Sequence, residues 1–488
     1  MSKEILINVT PQETRVAILE NGVLQELYIE RISSKGLVGN IYLGKVVRVL
    51  PGMDAAFVDV GLERAAFLHA SDIENQQLQS TGEELSSRKI SQLLHEGKKV
   101  LVQVVKDPLG TKGARLTTNI TIPSRYLVFL PDSETIGVSS KIEDEEIRQH
   151  LKNMLLEHDD LITGAGYILR TAAERSTPES LRRDIKFLNS LWKSIAEQKL
   201  SAKAGSVIHQ DLPLHLRVLR DMVDEDLEKI KIDSRENCKR MNEFASRYVT
   251  ELTATIEHYP GERPIFDLYG VEDEIQKALE RKVQLKSGGY LIIDQTEAMT
   301  AIDVNTGAFV GHRNLEETIF KTNLEAAQAI VRQLRLRNLG GIIIIDFIDM
   351  QEEEHKRQVM RALNKCLDKD HAKTNVCEVS SLGLVEMTRK RTRESLEHIL
   401  CEGCPTCGGR GSVKTSETIC YEIFREIIRE ARQFDAQKLM VLAAQEVVDR
   451  LLDEESSSLA ELEAFVEIPI RLQAEALYSQ EQFDIVIM

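Results

Sequence analysis

Two stretches decide how this chain reads: Met299-Thr300-Ala301-Ile302-Asp303-Val304-Asn305 and Gly340-Gly341-Ile342-Ile343-Ile344-Ile345-Asp346. Four consecutive isoleucines fit a strand covered on both faces of a sheet. Between the two stretches, Leu315, Ile319, Ala327, Val331 and Leu334 recur at helical spacing. Asn314 with Glu317 three residues on has the form of a capping box, and Gly340-Gly341 stops the helix. Strand, helix, strand predicts a crossover unit with its two strands parallel. Asp303 and Asp346 then sit late in their strands, at the carboxyl edge where α/β sheets place ligands. Either acid alone also reads as a turn former or a helix cap. As a pair, with Asn305 available as an amide partner, they call for neutralisation, which a hard cation such as Mg2+ does well.

At 488 residues the chain is long enough for about three domains, and 42% hydrophobic with 29% charged residues marks a soluble globular protein. No window approaches the ~18 apolar residues of a membrane span, and the N-terminus lacks a signal-peptide core, so a cytoplasmic location is expected. Seven cysteines, three of them between 401 and 407, argue for reduced thiols and metal rather than disulfides.

The formal charge of −16 is uneven: Ser416–Met488 holds 16 acids and 6 bases, net −10. Basic runs lie at Arg389-Lys390-Arg391 with Arg393, and at Arg332, Arg335 and Arg337. Such runs are ordinarily solvated faces, and the global charge disfavours indiscriminate phosphate binding. Any nucleic-acid contact is therefore expected in patches.

Residues 36–119 read as short strands, 39–49, 55–61, 65–70 and 99–107, with a polar insert near 74–97 and glycines at the corners. This suits a small closed barrel. The pattern closely resembles the RNA-binding OB fold of the ribosomal-protein-S1 type, in which exposed aromatics stack bases and lysines meet phosphate. On the matching positions Phe57 and Phe67 are the stacking candidates, with Lys106 and Lys112 in support; a core role is the alternative for either ring. His69 reads as a structural hydrogen-bonder.

Cys404-Pro405-Thr406-Cys407-Gly408-Gly409 resembles a zinc knuckle, in which two thiolates point inward and glycines free backbone amides to support the sulfurs. A cytosolic CxxC also serves as a redox pair, but no thioredoxin-like βαβ context is expected around this one. Zinc wants four ligands and one CxxC supplies two; Cys401 could add a third, or a second chain could supply its own pair.

The order of these features, with Asp294-Gln295-Thr296-Glu297-Ala298, Ile302-Asp303-Val304-Asn305-Thr306-Gly307 and Arg335-Leu336-Arg337-Asn338-Leu339-Gly340-Gly341, resembles the ribonuclease E/G family along essentially the whole chain. The length, without a long Pro- and Arg-rich tail, fits the family's shorter branch, so neither membrane attachment nor a scaffold tail for partner enzymes is implied.

The resemblance implies a multidomain α/β and α+β architecture. In it an RNase H-like subdomain (1–35 plus 215–278) is interrupted by an S1-type OB barrel (36–119) and a 5′-sensor region (120–214). A DNase I-like catalytic subdomain (279–400), a zinc link (401–415) and a small C-terminal domain (416–488) follow. A helix Val271–Leu285, with Ile275, Leu279 and Val283 on one face, should lead into the catalytic part. Asp303 and Asp346 would bind Mg2+ with Asn305 orienting one of them. Cys404 and Cys407 would bind zinc shared between two chains, giving a homodimer or homotetramer.

Arg170 and Thr171, with Val128 lining the site, would read an RNA 5′-monophosphate; Arg175 replaces a glycine expected in that loop. The implied activity is an endoribonuclease that hydrolyses single-stranded, AU-rich RNA to 5′-phosphate and 3′-hydroxyl ends in rRNA maturation and mRNA decay. None of the eleven histidines clusters near the acids, which disfavours a His-pair ribonuclease. An inactive RNA-binding scaffold and a two-carboxylate glycosidase are the rival readings; the latter leaves the barrel and the CxxC without a purpose.

Overall fold

The isoleucine run forms the strand Gly341–Asp346, which lies parallel to Met299–Asn305 and is joined to it by the helix Leu315–Leu336. The computed structural model describes residues 2–73, 89–108, 113–142, 144–162, 164–223, 226–248, 255–307, 315–380, 382–434 and 436–488. Asn314, the expected helix cap, lies outside them. The chain divides into two units, Met1–Ile399 and Leu400–Met488. No helix among the described residues is long and apolar enough to cross a membrane.

The parallel pair sits at the centre of a six-stranded sheet. On one side are Tyr290–Gln295 and Lys282–Gln284; on the other are Leu384–Arg389 and Thr374–Val376. All the other pairings are antiparallel. Leu315–Leu336 and Glu353–Leu367 cover one face, where Ile302, Val304, Ile343 and Ile345 meet Ala326, Ile330, Leu334, Val359 and Leu363. Burial of an isoleucine such as Ile343 or Ile345, both 0% exposed, is worth roughly 1.5–3 kcal/mol.

The other face is open, which corrects the expectation of a strand covered on both sides. Ile342 is 49% exposed, and Met299, Ala301, Asp303 and Asp346 are exposed. A period of two therefore sends the acids away from the core. The helix ends through Asn338 in the left-handed region (φ 50°), before the glycines are reached. Its first residue Leu315 is exposed rather than part of the packed stripe.

The helix expected over Val271–Leu285 stops at Leu279. Val283 instead joins the edge strand Lys282–Gln284, where pairing with Tyr290–Gln295 satisfies the backbone more fully than another helical turn.

In a second sheet Lys3–Val9 is central, antiparallel to Glu13–Glu20 and parallel to Leu227–Ile232, a partner more than two hundred residues away. Val23–Arg31 and Ile256–His258 form its edges. Inserted between the halves is a barrel of Ile41–Leu50, Ala55–Asp59, Ala66–His69, Arg115–Thr117 and Lys99–Lys106. It closes when Lys99–Lys106 pairs back onto Ile41–Leu50. A four-stranded sheet follows, containing Leu127–Leu130 and Gly166–Leu169, against which the helix Pro178–Ser201 packs.

The second unit contains Leu439–Ala443 parallel to Ile470–Ala474, joined through the helices Gln445–Leu452 and Ser456–Val466. Phe483–Ile487 is antiparallel on the other side, and Ser416–Gln433 packs on the core they share.

Candidate functional site

Strand register sets the geometry at the acids. Asp303 and Asp346 are direct cross-strand partners, on strands that run roughly 5 Å apart. Both side chains are on the open face, beyond the last buried isoleucine of each strand. Asn305 donates through Nδ2 to Asp303 Oδ2 at 2.8 Å, fixing that carboxylate. Gly289 lies so close that an added Cβ would come within 2.6 Å of the Asn305 carbonyl oxygen, so a glycine there keeps the strand end in place.

Asp346 is held above the usual carboxylate range, first by desolvation, then by the like charges of Asp303 and Asp349. Asp349, an exposed acid three residues beyond Asp346, was not singled out from the sequence. The loop that continues from the strand end keeps it near enough to be felt. A divalent cation relieves this repulsion, and two carboxylates are the usual protein share of a Mg2+ shell, substrate phosphate and water supplying the rest. Among the described residues no group of three or more His, Cys, Asp and Glu side chains could hold a metal ion. Two carboxylates alone would leave the rest of a cation's shell to water and other oxygen donors.

On the barrel, Phe57 and Phe67 face each other across neighbouring strands, their ring centroids 6.2 Å apart and edge to face. Both are half-buried rather than core. Register extends this pair into a row, Arg48–Phe57–Phe67–Arg115–Lys106. Arg48 and Lys106 are exposed at its ends, and Arg115 is held by Asp72 at 2.8 Å. Two adjacent aromatic rings flanked by cationic side chains make a surface suited to stacked bases and phosphates. Arg48 and Arg115 were missed in the sequence; they lie on other strands than the two Phe, and only strand pairing brings them into the row. Lys112 lies outside the described residues. His69 accepts from the Ser71 backbone N–H and shares a 2.8 Å contact with its hydroxyl, the structural role expected.

Arg170 follows the strand Gly166–Leu169 and precedes a short turn beginning at Thr171. Its fork is occupied: Nη1 donates to the Ser124 carbonyl (2.5 Å) and Nη2 to Asp221 Oδ1 (2.8 Å). Thr171 is exposed. Val128 is the register partner of Ile168, which shares a strand face with Arg170 two residues later. Any further acceptor at this guanidinium would have to compete with Asp221.

Cys404 and Cys407 lie on one turn, with the Gly408 N–H donating to the Cys404 carbonyl at 2.8 Å. Backbone N–H groups of Cys407 and Thr406 hold the Cys404 thiol below its usual range. A thiolate so supported fits a soft-metal ligand, and Cys401 is exposed nearby in sequence.

The basic runs resolve differently. Arg335, Arg337 and Arg389 are only 7%, 8% and 5% exposed. Arg335 is bound to Glu20 and Glu26, Arg389 to Asp370, and Arg393 lies 3.6 Å over the Tyr28 ring. These cations hold the fold together, while Lys390 and Arg391 of the same run stay exposed as a solvated face.

Comparison with known proteins places these features in a common frame. The model of the Ribonuclease E/G family matches residues 121–392, that of the S1 RNA binding domain residues 37–118, and that of the RNase E/G thioredoxin-like domain residues 403–487. The last corrects the expectation that no thioredoxin-like context surrounds the CxxC; the parallel pair Leu439–Ala443 and Ile470–Ala474 with its helical crossover is that context. The chain is 57% identical to Ribonuclease G of Escherichia coli (strain K12) over the whole of both chains, and 54% identical to Ribonuclease G of Haemophilus influenzae over 99% of each. With Ribonuclease E of Escherichia coli (strain K12) it shares 37% identity over 94% of its own length and 44% of the relative's.

Proposed function

We propose, from the premise that this chain belongs to the ribonuclease E/G family, that it is an endoribonuclease acting on single-stranded, AU-rich RNA through Mg2+-assisted hydrolysis. The observation that carries the reading is the cross-strand pair of Asp303 and Asp346 on the open sheet face, with Asn305 fixing one of them. When bound, Mg2+ supplies charge neutralisation at the scissile phosphate and a water acidified enough to attack it.

The chain's own groups supply the rest. Asp303 and Asp346 present two carboxylates in fixed register, and Asn305 keeps the Asp303 oxygens from rotating away. Phe57 and Phe67 stack unpaired bases, which orients the strand without demanding one sequence. Arg170 and Thr171 offer a fork and a hydroxyl to a 5′-monophosphate, a dianion better able than a diester to draw the fork from Asp221. In-line attack leaves a 5′-phosphate and a 3′-hydroxyl, and such cleavage serves rRNA maturation and mRNA decay. Cys404 and Cys407 fit zinc shared between two chains, which joins them as a homodimer or within a homotetramer.

The test is to map the product ends on a defined RNA carrying either a 5′-phosphate or a 5′-hydroxyl, with and without Mg2+. Internal cuts ending in 5′-phosphate, dependent on Mg2+ and faster on the 5′-phosphorylated RNA, are expected. Cleavage that persists in EDTA, or ends in cyclic phosphate, rejects the mechanism.

A further inference from the structure

A cavity of about 460 Å³ lies in the first unit, away from the strand ends that carry the acids, among the Thr121–Arg125 segment and the helices Pro178–Ser201 and Arg235–Tyr248. Its volume falls in the range of small-molecule sites. The walls are apolar, with Phe187, Leu191, Leu216 and Phe244 prominent. Few polar groups at the cavity remain unengaged. The His209 ring, half-buried, has no hydrogen-bond partner among the described residues, and burial holds it below its usual range. As a neutral ring it offers one donor and one acceptor. Arg125 Nε is buried without a partner, although the rest of that guanidinium donates to the carbonyls of Leu219 (3.3 Å), Arg220 (3.4 Å) and Val223 (3.2 Å). The charges balance: Arg125, Arg220 and Arg240 against Asp184, Asp211 and Glu243. An anion gains no net attraction here. A neutral planar heterocycle meets flat apolar walls and two unsatisfied polar positions.

The cavity is wired to Arg170. Asp184, 2% exposed, accepts from Ser124 Oγ at 2.6 Å, and the Ser124 carbonyl accepts from Arg170 Nη1. On the other side Arg220 binds Asp211 (2.6 Å) and Asp221 (2.9 Å), and Asp221 holds Arg170 Nη2. Of the two groups that engage the Arg170 fork, Ser124 itself lines the cavity and Asp221 is one hydrogen bond from Arg220, which also lines it.

We propose that this cavity binds a nucleoside-sized neutral heterocycle, either a free nucleoside or an unpaired base of RNA, and that its occupancy changes how firmly Arg170 is held. The second half rests on the proposed role of Arg170 as a 5′-phosphate reader; the first does not.

The test uses the full chain with adenosine, guanosine, cytidine and uridine, read by saturation-transfer NMR and calorimetric titration. At least one nucleoside binds saturably. Leu216→Trp, which fills the cavity, and Phe187→Ala, which removes a wall, each abolish or weaken that binding, so the proposal does not depend on one variant folding. The bound nucleoside changes the ratio of cleavage rates on 5′-phosphate over 5′-hydroxyl RNA on the order of fivefold, leaving the 5′-hydroxyl rate unchanged.

Displacement of the nucleoside by a short single-stranded oligonucleotide assigns the site to an RNA base; retention assigns it to a free nucleoside, and either supports the proposal. No binding at millimolar nucleoside, or binding indifferent to both substitutions, overturns it. Saturable binding with an unchanged rate ratio overturns the coupling. Equal rates on the two RNAs without nucleoside remove the reader role itself, while the binding arm still decides the cavity.

Discussion

Asp346 carries a conflict between stability and chemistry. Its carboxylate is disfavoured in the fold by desolvation and by Asp303 and Asp349, and the site uses that same ionised form. An acid whose native value is raised destabilises the protein at neutral pH; the penalty begins to shrink as pH falls through the raised native value and is gone below the ordinary carboxylate value of the unfolded chain. Asp346→Asn should therefore lower cleavage by orders of magnitude. Without metal it should melt no lower than the parent at pH 7, with the difference closing in acid, as thermal melts at pH 7 and pH 3 will read. At the barrel, Phe57→Ala and Phe67→Ala should each weaken binding of a single-stranded oligonucleotide by about 1–3 kcal/mol. Unchanged affinity in a fluorescence titration removes the barrel as the grip.

At the scale of elements, Arg335 links the helix Leu315–Leu336 to the hairpin strands Glu13–Glu20 and Val23–Arg31 through Glu20 and Glu26. Burial pushes Glu26 up, but Arg335 and the Tyr28 hydroxyl outweigh it, leaving the carboxyl below its usual range. Arg335→Ala strands that carboxylate, at about 3–5 kcal/mol for a buried pair broken on one side. A urea midpoint shifted by much less would mean that Glu26 finds another partner.

Here the limits of the sequence show. The parallel pair, its crossover helix and the acid register were legible because hydrophobic periodicity and strand-end position are local signals. So were the closed barrel and its two Phe. The open face was not, since Ile342 and Ile344 look like Ile343 and Ile345 until neighbouring elements determine which side is covered. The buried arginines were equally opaque, because their partners Glu20, Glu26 and Asp370 lie far away in sequence or across the sheet. The strand pairing at Val283 is local, with Leu291 opposite, but the helical spacing of Ile275, Leu279 and Val283 masks it. The thioredoxin-like context of the CxxC failed because Leu439–Ala443 and Ile470–Ala474 pair far from the cysteines in sequence.

For the whole molecule, the net −10 of Ser416–Met488 disfavours phosphate contact on the second unit, while the first contains both the barrel row and the paired acids. If zinc is shared through Cys404 and Cys407, replacing both by Ser should release the metal and lower the solution mass, read by metal analysis and light scattering. Retained mass rejects the shared site.

The central claim is that Asp303 and Asp346 together hold a divalent cation, and counting bound Mn2+ by electron paramagnetic resonance tests it most directly. The account predicts one site in the parent chain that disappears in both Asp303→Asn and Asp346→Asn, with oligonucleotide binding retained. Equal Mn2+ stoichiometry and affinity in the parent and the doubly substituted chain would contradict it.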